Sequence, residues 1–395
     1  MRPKRGLLAA HWALDPETTF LNHGSFGAVP KVVLEEQSFL RSQIEMDPVR
    51  FYEREFLERM YEARKCLSLF LNADPNGMAF VRNATEGVNT ILRSLNLKDG
   101  DEIIVPNHSY QACWNAVDFV AERSGAKTVV VDIPFRIQNK SQILDLIMDS
   151  VTDRTVLALI DTVTSPTGLR MPFEELVEGL QSSGVDVLLD AAHGPGIVPL
   201  DLGNLGAAYC TGNCHKWICT PKGSAFLHIR ADKKEMIRPL SIGHGSSFQG
   251  SDQEKFDYEF GWPGTQDPTP WLCIPKAIEF LGSLVEGGWS TIMQRNRKLA
   301  LEGRGIICEA IGTSPPVPDS MVSSIASIEI PSEGDIGPME FEGDPFHNLL
   351  YDKYRIQVPV FPWVHHKTRY IRISAQMYNH IDEYHFLAEA LKNNL

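Results

Sequence analysis

Short apolar segments alternate with helical patterns through the middle of the chain, and this alternation limits the possible folds more than any other feature. Predicted strands cover residues 102–106, 127–133, 155–161, 185–190 and 206–211, and predicted helices cover residues 110–124, 141–150 and 172–183. Such a rhythm is typical of a parallel sheet with helices on both faces. The sequence therefore predicts an α/β fold.

Polar clusters follow three of these strands. They begin at Asn107, Thr162 and Asp190, and the last one reads Asp190-Ala191-Ala192-His193. Because the carboxyl ends of parallel strands lie along one edge of a sheet, we expect these side chains to surround one ligand.

Asp190 and Lys216 indicate the chemistry of that ligand. Both follow buried strands, so the fold brings a carboxylate and an amine to one sheet edge. This pair suits pyridoxal phosphate, because a lysine can hold the aldehyde as a Schiff base while a carboxylate keeps the pyridine nitrogen protonated. On this stretch alone, Asp190 could equally end a strand and Lys216 could be solvated.

Three turns supply further candidate groups. An apolar strand breaks at Asn83 and a helix begins at Thr85, so free amides and the helix dipole favour a phosphate there, although Thr85 as a simple N-cap is an alternative. Asn22 and His23 lie in a glycine-containing turn that forms either a pocket wall or a loop before a helix. Thr265 lies in a turn that offers a hydroxyl or is purely structural.

The length and composition favour two domains. A chain of 395 residues with 43% hydrophobic content is too long for one ordinary core. An irregular segment at residues 243–264 precedes a long helix that starts at residue 288. A smaller α+β region follows, with strands near residues 323–330, 355–361 and 368–374 and a final helix at residues 380–394.

The net charge indicates which class of partner the protein binds, and the cysteines indicate its cellular compartment. A net charge of −13 without a long basic run argues against nucleic acid or a membrane surface, so we expect a small-molecule partner. We expect a cytoplasmic protein without a signal peptide, since seven scattered cysteines are typical of reduced thiols. Cys210, Cys214 and Cys219 flank His215, but the second pair of a closed zinc site is missing, so no metal is expected.

Six segments, taken in order along the chain, resemble the class V aminotransferase family of fold-type-I pyridoxal-phosphate enzymes, and within it the isopenicillin N epimerase-like branch. They are residues 20–30 (FLNHGSFGAVP), 82–87 (RNATEG), 190–196 (DAAHGPG), His215-Lys216, 264–267 (GTQD) and 372–379 (RISAQMYN). The resemblance implies a large domain with a mainly parallel seven-stranded sheet, a smaller C-terminal α+β domain and a homodimer with shared active sites. It implies an N-terminal segment at residues 1–30, a large domain at 31–285 and a small domain at 286–395.

The resemblance also assigns roles around the cofactor ring. Lys216 is similar to the Schiff-base lysine, Asp190 to the partner of the pyridinium nitrogen, and His193 to the residue that bonds the phenolic oxygen. His108 matches the ring-stacking position, with Tyr110 as a nearby competitor. Ser165 stands where many relatives have Asn, and the resemblance implies that it contacts the same phenolic oxygen.

Phosphate and substrate roles are implied in the same way. The phosphate ligands would be Ala84, Thr85, Asn213, His215 and, from the other subunit, Thr265. Substrate binding would involve Arg372 as a carboxylate clamp, together with Asn22 and His23. Gln266 departs from the Arg that is common in this branch, so no contact of that Arg is carried over.

Several reactions share this site. Once Lys216 has removed the Cα proton of an amino acid, epimerisation, loss of a β-substituent or transamination can follow. The motifs favour an epimerase, with a carbon–sulfur lyase next and an aminotransferase third. A desulfurase is disfavoured because no cysteine follows Cys308, and an epimerase needs a second acid such as His23 or Tyr110. A non-catalytic cofactor-binding protein is the least favoured alternative.

Overall fold

A computed structural model describes residues 2–331, 344–363 and 368–395 of the chain. Its strands are β1 (Thr19–Phe20), β2 (Met78–Val81), β3 (Glu102–Pro106), β4 (Lys127–Val131), β5 (Thr155–Asp161), β6 (Asp186–Asp190), β7 (Tyr209–Asn213), β8 (Ala225–Ile229), β9 (Ile325–Ile330), β10 (Ile356–Gln357), β11 (Val360–Trp363) and β12 (Thr368–Ser374).

Seven of these strands form the central sheet, in the order β2-β8-β7-β6-β5-β3-β4. The strands from β7 to β4 pair in parallel, and β8 runs antiparallel to both of its neighbours. The predicted α/β fold with a mainly parallel seven-stranded sheet is therefore confirmed. The central strands are apolar because both of their faces are buried: Leu188 belongs to one core and Leu189 to the other.

Helices cover the sheet and form much of the small domain. The longer helices are Lys31–Met46, Phe56–Phe70, Ala84–Ser94, Gln111–Ser124, Ser141–Met148, Phe173–Ser182, Asp252–Gly261, Ile274–Ser283, Gly288–Ile311, Pro345–Tyr354 and Ile381–Lys392. Shorter helical segments are Leu7–His11, His23–Phe26, Pro48–Arg50, Phe51–Glu55, Pro75–Gly77, Leu202–Leu205, Cys214–Trp217, Ala231–Lys233, His244–Ser247, Thr269–Leu272 and Asp319–Met321. Within the described ranges, no helix has both the length and the apolar character that crossing a bilayer requires.

The helix Asp252–Gly261 lies in the segment that was predicted to be irregular, so that prediction is wrong. Ser251 caps the helix by accepting a hydrogen bond from the Glu254 amide, while the Glu254 carboxylate accepts one from the Ser251 amide. This reciprocal pair is a capping box, and its Ser-x-x-Glu pattern was present in the sequence.

The small domain contains a three-stranded antiparallel sheet, in the order β11-β12-β9. The single strand predicted near residues 355–361 is instead two strands, β10 and β11, which belong to different sheets. Pro359 lies between them, and its lack of an amide proton breaks the ladder of hydrogen bonds. β10 pairs in parallel with β1, so the N-terminal segment is joined to the small domain.

Candidate active site

A cavity of about 520 Å³ opens at the carboxyl ends of β5, β6 and β7. Asp161, Asp190 and Asn213 end these three strands, and all three line the cavity. Lys216 follows β7 in the short helix Cys214–Trp217 and also lines it. The clustering at one sheet edge follows directly from the parallel order of the strands.

Lys216 is buried, and its surroundings favour an uncharged amine. Burial, followed by the nearby Arg372 guanidinium, lowers the pKa of Lys216 to about 8. The amine Nζ lies 3.0 Å from His193 Nε2. An amine with a pKa this close to neutrality can accept and return a proton at physiological pH.

The N-terminal segment holds the backbone of Lys216 in place. His23 Nε2 donates to the Lys216 carbonyl at 2.9 Å, and Tyr378 Oη donates to His23 Nδ1 at 2.8 Å. Gly27 has a positive φ of 69°, and a Cβ atom there would lie 2.2 Å from the His215 carbonyl oxygen. Only glycine permits this close approach of the two backbones.

Asp190 is a buried carboxylate without a cationic group bonded to it among the described residues. Its Oδ1 accepts a hydrogen bond from the Ala192 amide at 2.8 Å, and its Oδ2 accepts one from Cys113 Sγ at 3.3 Å. Burial raises its pKa. A protonated pyridine nitrogen would supply the missing cation and lower that pKa, so the carboxylate fits the cofactor.

Asp161 stands beside Asp190 as its register partner on β5. Ser109 Oγ donates to Asp161 Oδ2 at 2.8 Å. Burial and the neighbouring Asp190 raise the pKa of Asp161 well above its ordinary value, so Asp161 is the weaker acid of the two. Asp161 was not among the predicted site residues, although its place at a strand end matched that of Asp190.

The helix Ala84–Ser94 begins at the opposite side of the cavity. Asn83 caps it, because Asn83 Oδ1 accepts from the Glu86 amide at 2.8 Å; Thr85 as the N-cap is therefore wrong. Thr85 instead lines the cavity. The Ala84 amide donates to Asn213 Oδ1 at 2.9 Å, which joins the start of the helix to the end of β7.

His215 and Lys222 complete the polar wall near this helix terminus. His215 Nδ1 donates to the Ser224 carbonyl at 2.9 Å, and burial lowers the pKa of His215 to about 4. Lys222 Nζ donates to the Gly27 carbonyl at 3.0 Å. A helix N-terminus with an ammonium group nearby fits a phosphate, and the phosphate charge would favour a protonated His215 whose Nε2 then donates to it. Nothing in the sequence pattern pointed to Lys222.

Arg372 reaches the site from β12 of the small domain. Its Nη2 donates to Ser25 Oγ at 3.0 Å and its Nη1 donates to the Ser165 carbonyl. Among the described residues its buried Nε has no hydrogen-bond partner. Burial lowers the pKa of Arg372 to about 10, which still leaves a cation at neutral pH. This guanidinium is suited to a substrate carboxylate.

His193 lies between three polar groups. Its Nε2 is 3.0 Å from Lys216 Nζ and 3.3 Å from Ser165 Oγ, and its Nδ1 accepts from Trp217 Nε1 at 3.1 Å. The structure therefore brings together Lys216, Asp190, His193 and Ser165, as the sequence predicted.

Other predicted residues are placed differently. His108 is buried away from the cavity, with Nδ1 accepting from Thr167 Oγ1 at 2.7 Å and Nε2 donating to the Ile133 carbonyl at 3.1 Å. Tyr110, which is 45% exposed, lines the cavity instead. Of these two residues, Tyr110 and not His108 therefore lines the cavity.

Three further predicted residues, Asn22, His23 and Thr265, do not line the cavity of their own chain. Both ring nitrogens of His23 are engaged, as described above. Asn22 Oδ1 accepts from Ser25 Oγ at 2.6 Å. Thr265 is exposed and lies outside the residues that line the cavity.

A lysine and a carboxylate at the carboxyl edge of this sheet, with a helix N-terminus for phosphate and an arginine from a small domain, define a pyridoxal-phosphate-dependent enzyme of fold type I. The family model described as aminotransferase class-V matches residues 22–329. The chain belongs to this family, and its cofactor is pyridoxal 5′-phosphate.

Curated relatives of this chain have different names. The isopenicillin N epimerase of Amycolatopsis lactamdurans is 30% identical over 98% of this chain and 99% of its own. A probable chloroplastic L-cysteine desulfhydrase of Arabidopsis thaliana is 29% identical over 95% of this chain and 83% of its own. The hercynylcysteine sulfoxide lyase of Schizosaccharomyces pombe is 25% identical over 97% of this chain and 96% of its own.

Solved structures support the fold. The cysteine desulfurase CsdA of Escherichia coli superposes with a TM-score of 0.76 at 21% identity, over 98% of this chain and 97% of its own. The cystine C–S lyase C-DES gives a TM-score of 0.78 at 18% identity, over 96% of this chain and 98% of its own.

Proposed function

We propose that this protein is a carbon–sulfur β-lyase that acts on cysteine or a cysteine-derived amino acid. The observation that carries the proposal is the contrast between Lys216 and His23, which is one of the two candidates for the second acid of an epimerase. Lys216 is an amine at the cavity with a lowered pKa, whereas both ring nitrogens of His23 are occupied by Tyr378 and the Lys216 carbonyl. β-Elimination needs only one such base, and a two-base epimerase needs two.

The roles of the chain's own residues follow from their positions. Arg372 binds the substrate carboxylate, while Thr85, Asn213, His215 and Lys222 hold the phosphate. The bound cofactor supplies an aldehyde that links to amino groups and a ring that takes up the electron pair left at Cα.

Proton transfer is assigned to two residues. Asp190 would keep the ring nitrogen of the bound cofactor protonated, because a buried carboxylate stabilises a cation next to it. Lys216 takes the Cα proton, and its ammonium form returns a proton to the departing sulfur. In the balanced reaction, substrate and water give a thiol, pyruvate and ammonia.

Epimerisation is the second candidate, and the Tyr110 hydroxyl supports it. Tyr110 lines the cavity and can donate a proton from a position distinct from Lys216. The identity of 30% to an isopenicillin N epimerase points in the same direction. A class V aminotransferase is the third candidate and would use the same Lys216.

Incubation with candidate amino acids in deuterated water tests the reaction. A lyase releases pyruvate, ammonia and a thiol or sulfenate, whereas an epimerase returns the amino acid with α-deuterium and inverted chirality. A transaminase forms a keto acid without free ammonia. Pyruvate release that persists in Tyr110→Phe supports the lyase; α-deuterium with inversion that disappears in Tyr110→Phe would replace it with the epimerase.

We further propose a homodimer in which Thr265 contacts the phosphate of the partner subunit. Thr265 is exposed and lies outside the cavity of its own chain, so such a contact requires a second copy. Light scattering should report twice the chain mass of 44.2 kDa. Mixing Lys216→Ala with Thr265→Val chains should yield mixed dimers that keep one intact site, and a monomer in solution would refute this part.

A further inference from the structure

Trp217 follows Lys216 in sequence, and its indole contacts His193 without lining the cavity. Its side chain is buried, with 1% of its surface exposed, and His193 is fully buried. The indole Nε1 lies 3.1 Å from His193 Nδ1. Because an indole nitrogen can only donate, His193 Nδ1 must be the acceptor in this hydrogen bond.

This direction determines where His193 carries its proton. Burial, followed by the positive charges of Lys216 and Arg372, holds the pKa of His193 well below its ordinary value, so the ring is neutral. A neutral imidazole has one N–H, and an accepting Nδ1 places that hydrogen on Nε2. Nε2 is the atom that lies 3.0 Å from Lys216 Nζ and 3.3 Å from Ser165 Oγ.

We propose that Trp217 is a positioning residue that holds His193 in the Nε2–H tautomer, so that the imidazole donates toward Lys216 and disfavours its ammonium form. An uncharged amine accepts this hydrogen bond through its lone pair. An ammonium at Nζ has no lone pair, so it and Nε2–H would be two donors that repel each other. The inference deepens the proposed function and rests on its assignment of Lys216 as the base.

Other charged groups also act on the two residues. Arg372 opposes a charge on Lys216, while Asp190, Cys113 and Asp161 favour one. Around His193, the titratable neighbours besides Lys216 and Arg372 are His23 and His215, and both disfavour its protonation. None of these groups replaces the Trp217 N–H at Nδ1 in the described structure, so the tautomer depends on the indole.

The tautomer can be observed directly in the unaltered apoprotein. Selective ¹⁵N-histidine labelling distinguishes a protonated from an unprotonated Nδ1, and the signal that is lost in His193→Gln assigns the residue. We expect an unprotonated Nδ1 and a protonated Nε2. A protonated Nδ1 would overturn the proposal, and this measurement does not depend on whether any tryptophan variant folds.

Substitution of the indole tests the effect on Lys216. The readout is the pH dependence of the rate at which added pyridoxal phosphate links to Lys216 in the apoprotein. In Trp217→Phe the midpoint should rise by about one pH unit, because Nδ1 can then carry the ring proton and Nε2 can accept a hydrogen bond from the ammonium. At a pH below both midpoints, the rate should then fall about tenfold.

Trp289→Phe is the matched control, because Trp289 Nε1 donates to the Ile278 carbonyl at 3.0 Å and is not part of the cavity wall. Its midpoint should equal that of the wild type. If Trp217→Phe lowers the rate equally at every pH with an unchanged midpoint, its role is only structural and the proposal fails. Neither measurement uses an amino-acid substrate. The role of Trp217 can therefore be tested even if the lyase assay fails.

Discussion

Substitution of Gly87 by Ala should disturb the phosphate end of the active site through a single added methyl group. Gly87 lies in the helix Ala84–Ser94, where that helix packs against β7. A Cβ atom at position 87 would lie 2.1 Å from Thr211 Oγ1 and 2.7 Å from Thr211 Cβ. Thr211 cannot easily move away, because it is β-branched and its hydroxyl donates to the Phe226 carbonyl at 2.8 Å.

Two opposing effects determine the size of the change. Replacement of Gly by Ala inside a helix stabilises the helix by about 1 kcal/mol. Overpacking of a buried contact costs about 1–3 kcal/mol, and a contact with a stiff strand residue belongs in the upper part of that range. We therefore expect Gly87→Ala to lower the free energy of unfolding by about 1–2 kcal/mol.

The same displacement should weaken cofactor binding. The helix start is joined to β7 by the hydrogen bond from the Ala84 amide to Asn213 Oδ1. A helix that moves away from Thr211 lengthens this bond and shifts the amides at the phosphate site. A loss of about 1.4 kcal/mol there corresponds to about tenfold weaker binding of pyridoxal phosphate.

Urea unfolding of the apoproteins, followed by titration with the cofactor, measures both effects. Gly305→Ala is the control: it lies in the helix Gly288–Ile311, and a Cβ there meets nothing within 4 Å, so it should stabilise the protein. Thr211→Ala should cost less in the Gly87→Ala background than in the wild type, because it removes the closest clashing atom. If Gly87→Ala is as stable as Gly305→Ala, the packing argument is wrong.

Three other substitutions test separate parts of the structure. Lys216→Ala should remove the yellow colour of the covalently bound cofactor and abolish turnover, and an absorbance spectrum of the purified variant is sufficient to check this. Arg372→Lys should raise KM for the amino acid at least about tenfold with a smaller change in kcat, because the planar fork that binds a carboxylate is lost; an unchanged KM would contradict the clamp. Burial raises the pKa of Glu383 from 4.5 to about 7, so the folded state binds the extra proton between these values and the free energy of unfolding falls as the pH rises through them. In Glu383→Gln, the free energy of unfolding should depend less on pH over this range, as urea titrations at several pH values would measure. An unaltered dependence on pH would mean that other groups cause it.

Much of the fold followed from local sequence patterns. β3, β5 and β12 begin and end at their predicted limits, and the helix Gly288–Ile311 begins at its predicted first residue. Their apolar residues recur with the period of the element, and burial of one or both faces enforces that period. Asp190 was placed in the site for the same reason, since the carboxyl ends of parallel strands share an edge.

Only the tertiary structure decided which side chains line the cavity. His108 and Tyr110 differ by two positions, and contacts of His108 with Thr167 and Ile133 turn it away from the cavity. His23 binds the Lys216 carbonyl and does not line the cavity. Tyr378, which lies 355 positions away in the chain, holds the His23 ring in place by a hydrogen bond to Nδ1.

The sequence by itself therefore determined the order of the elements and the residue types at the strand ends, because these depend on short-range periodicity. The tertiary structure decided the hydrogen-bond partners, including the contact of Trp217 with His193 that orients a proton toward Lys216. These hydrogen-bond partners depend on the directions of side chains from distant segments of the chain. The pattern of apolar and polar residues does not determine those directions.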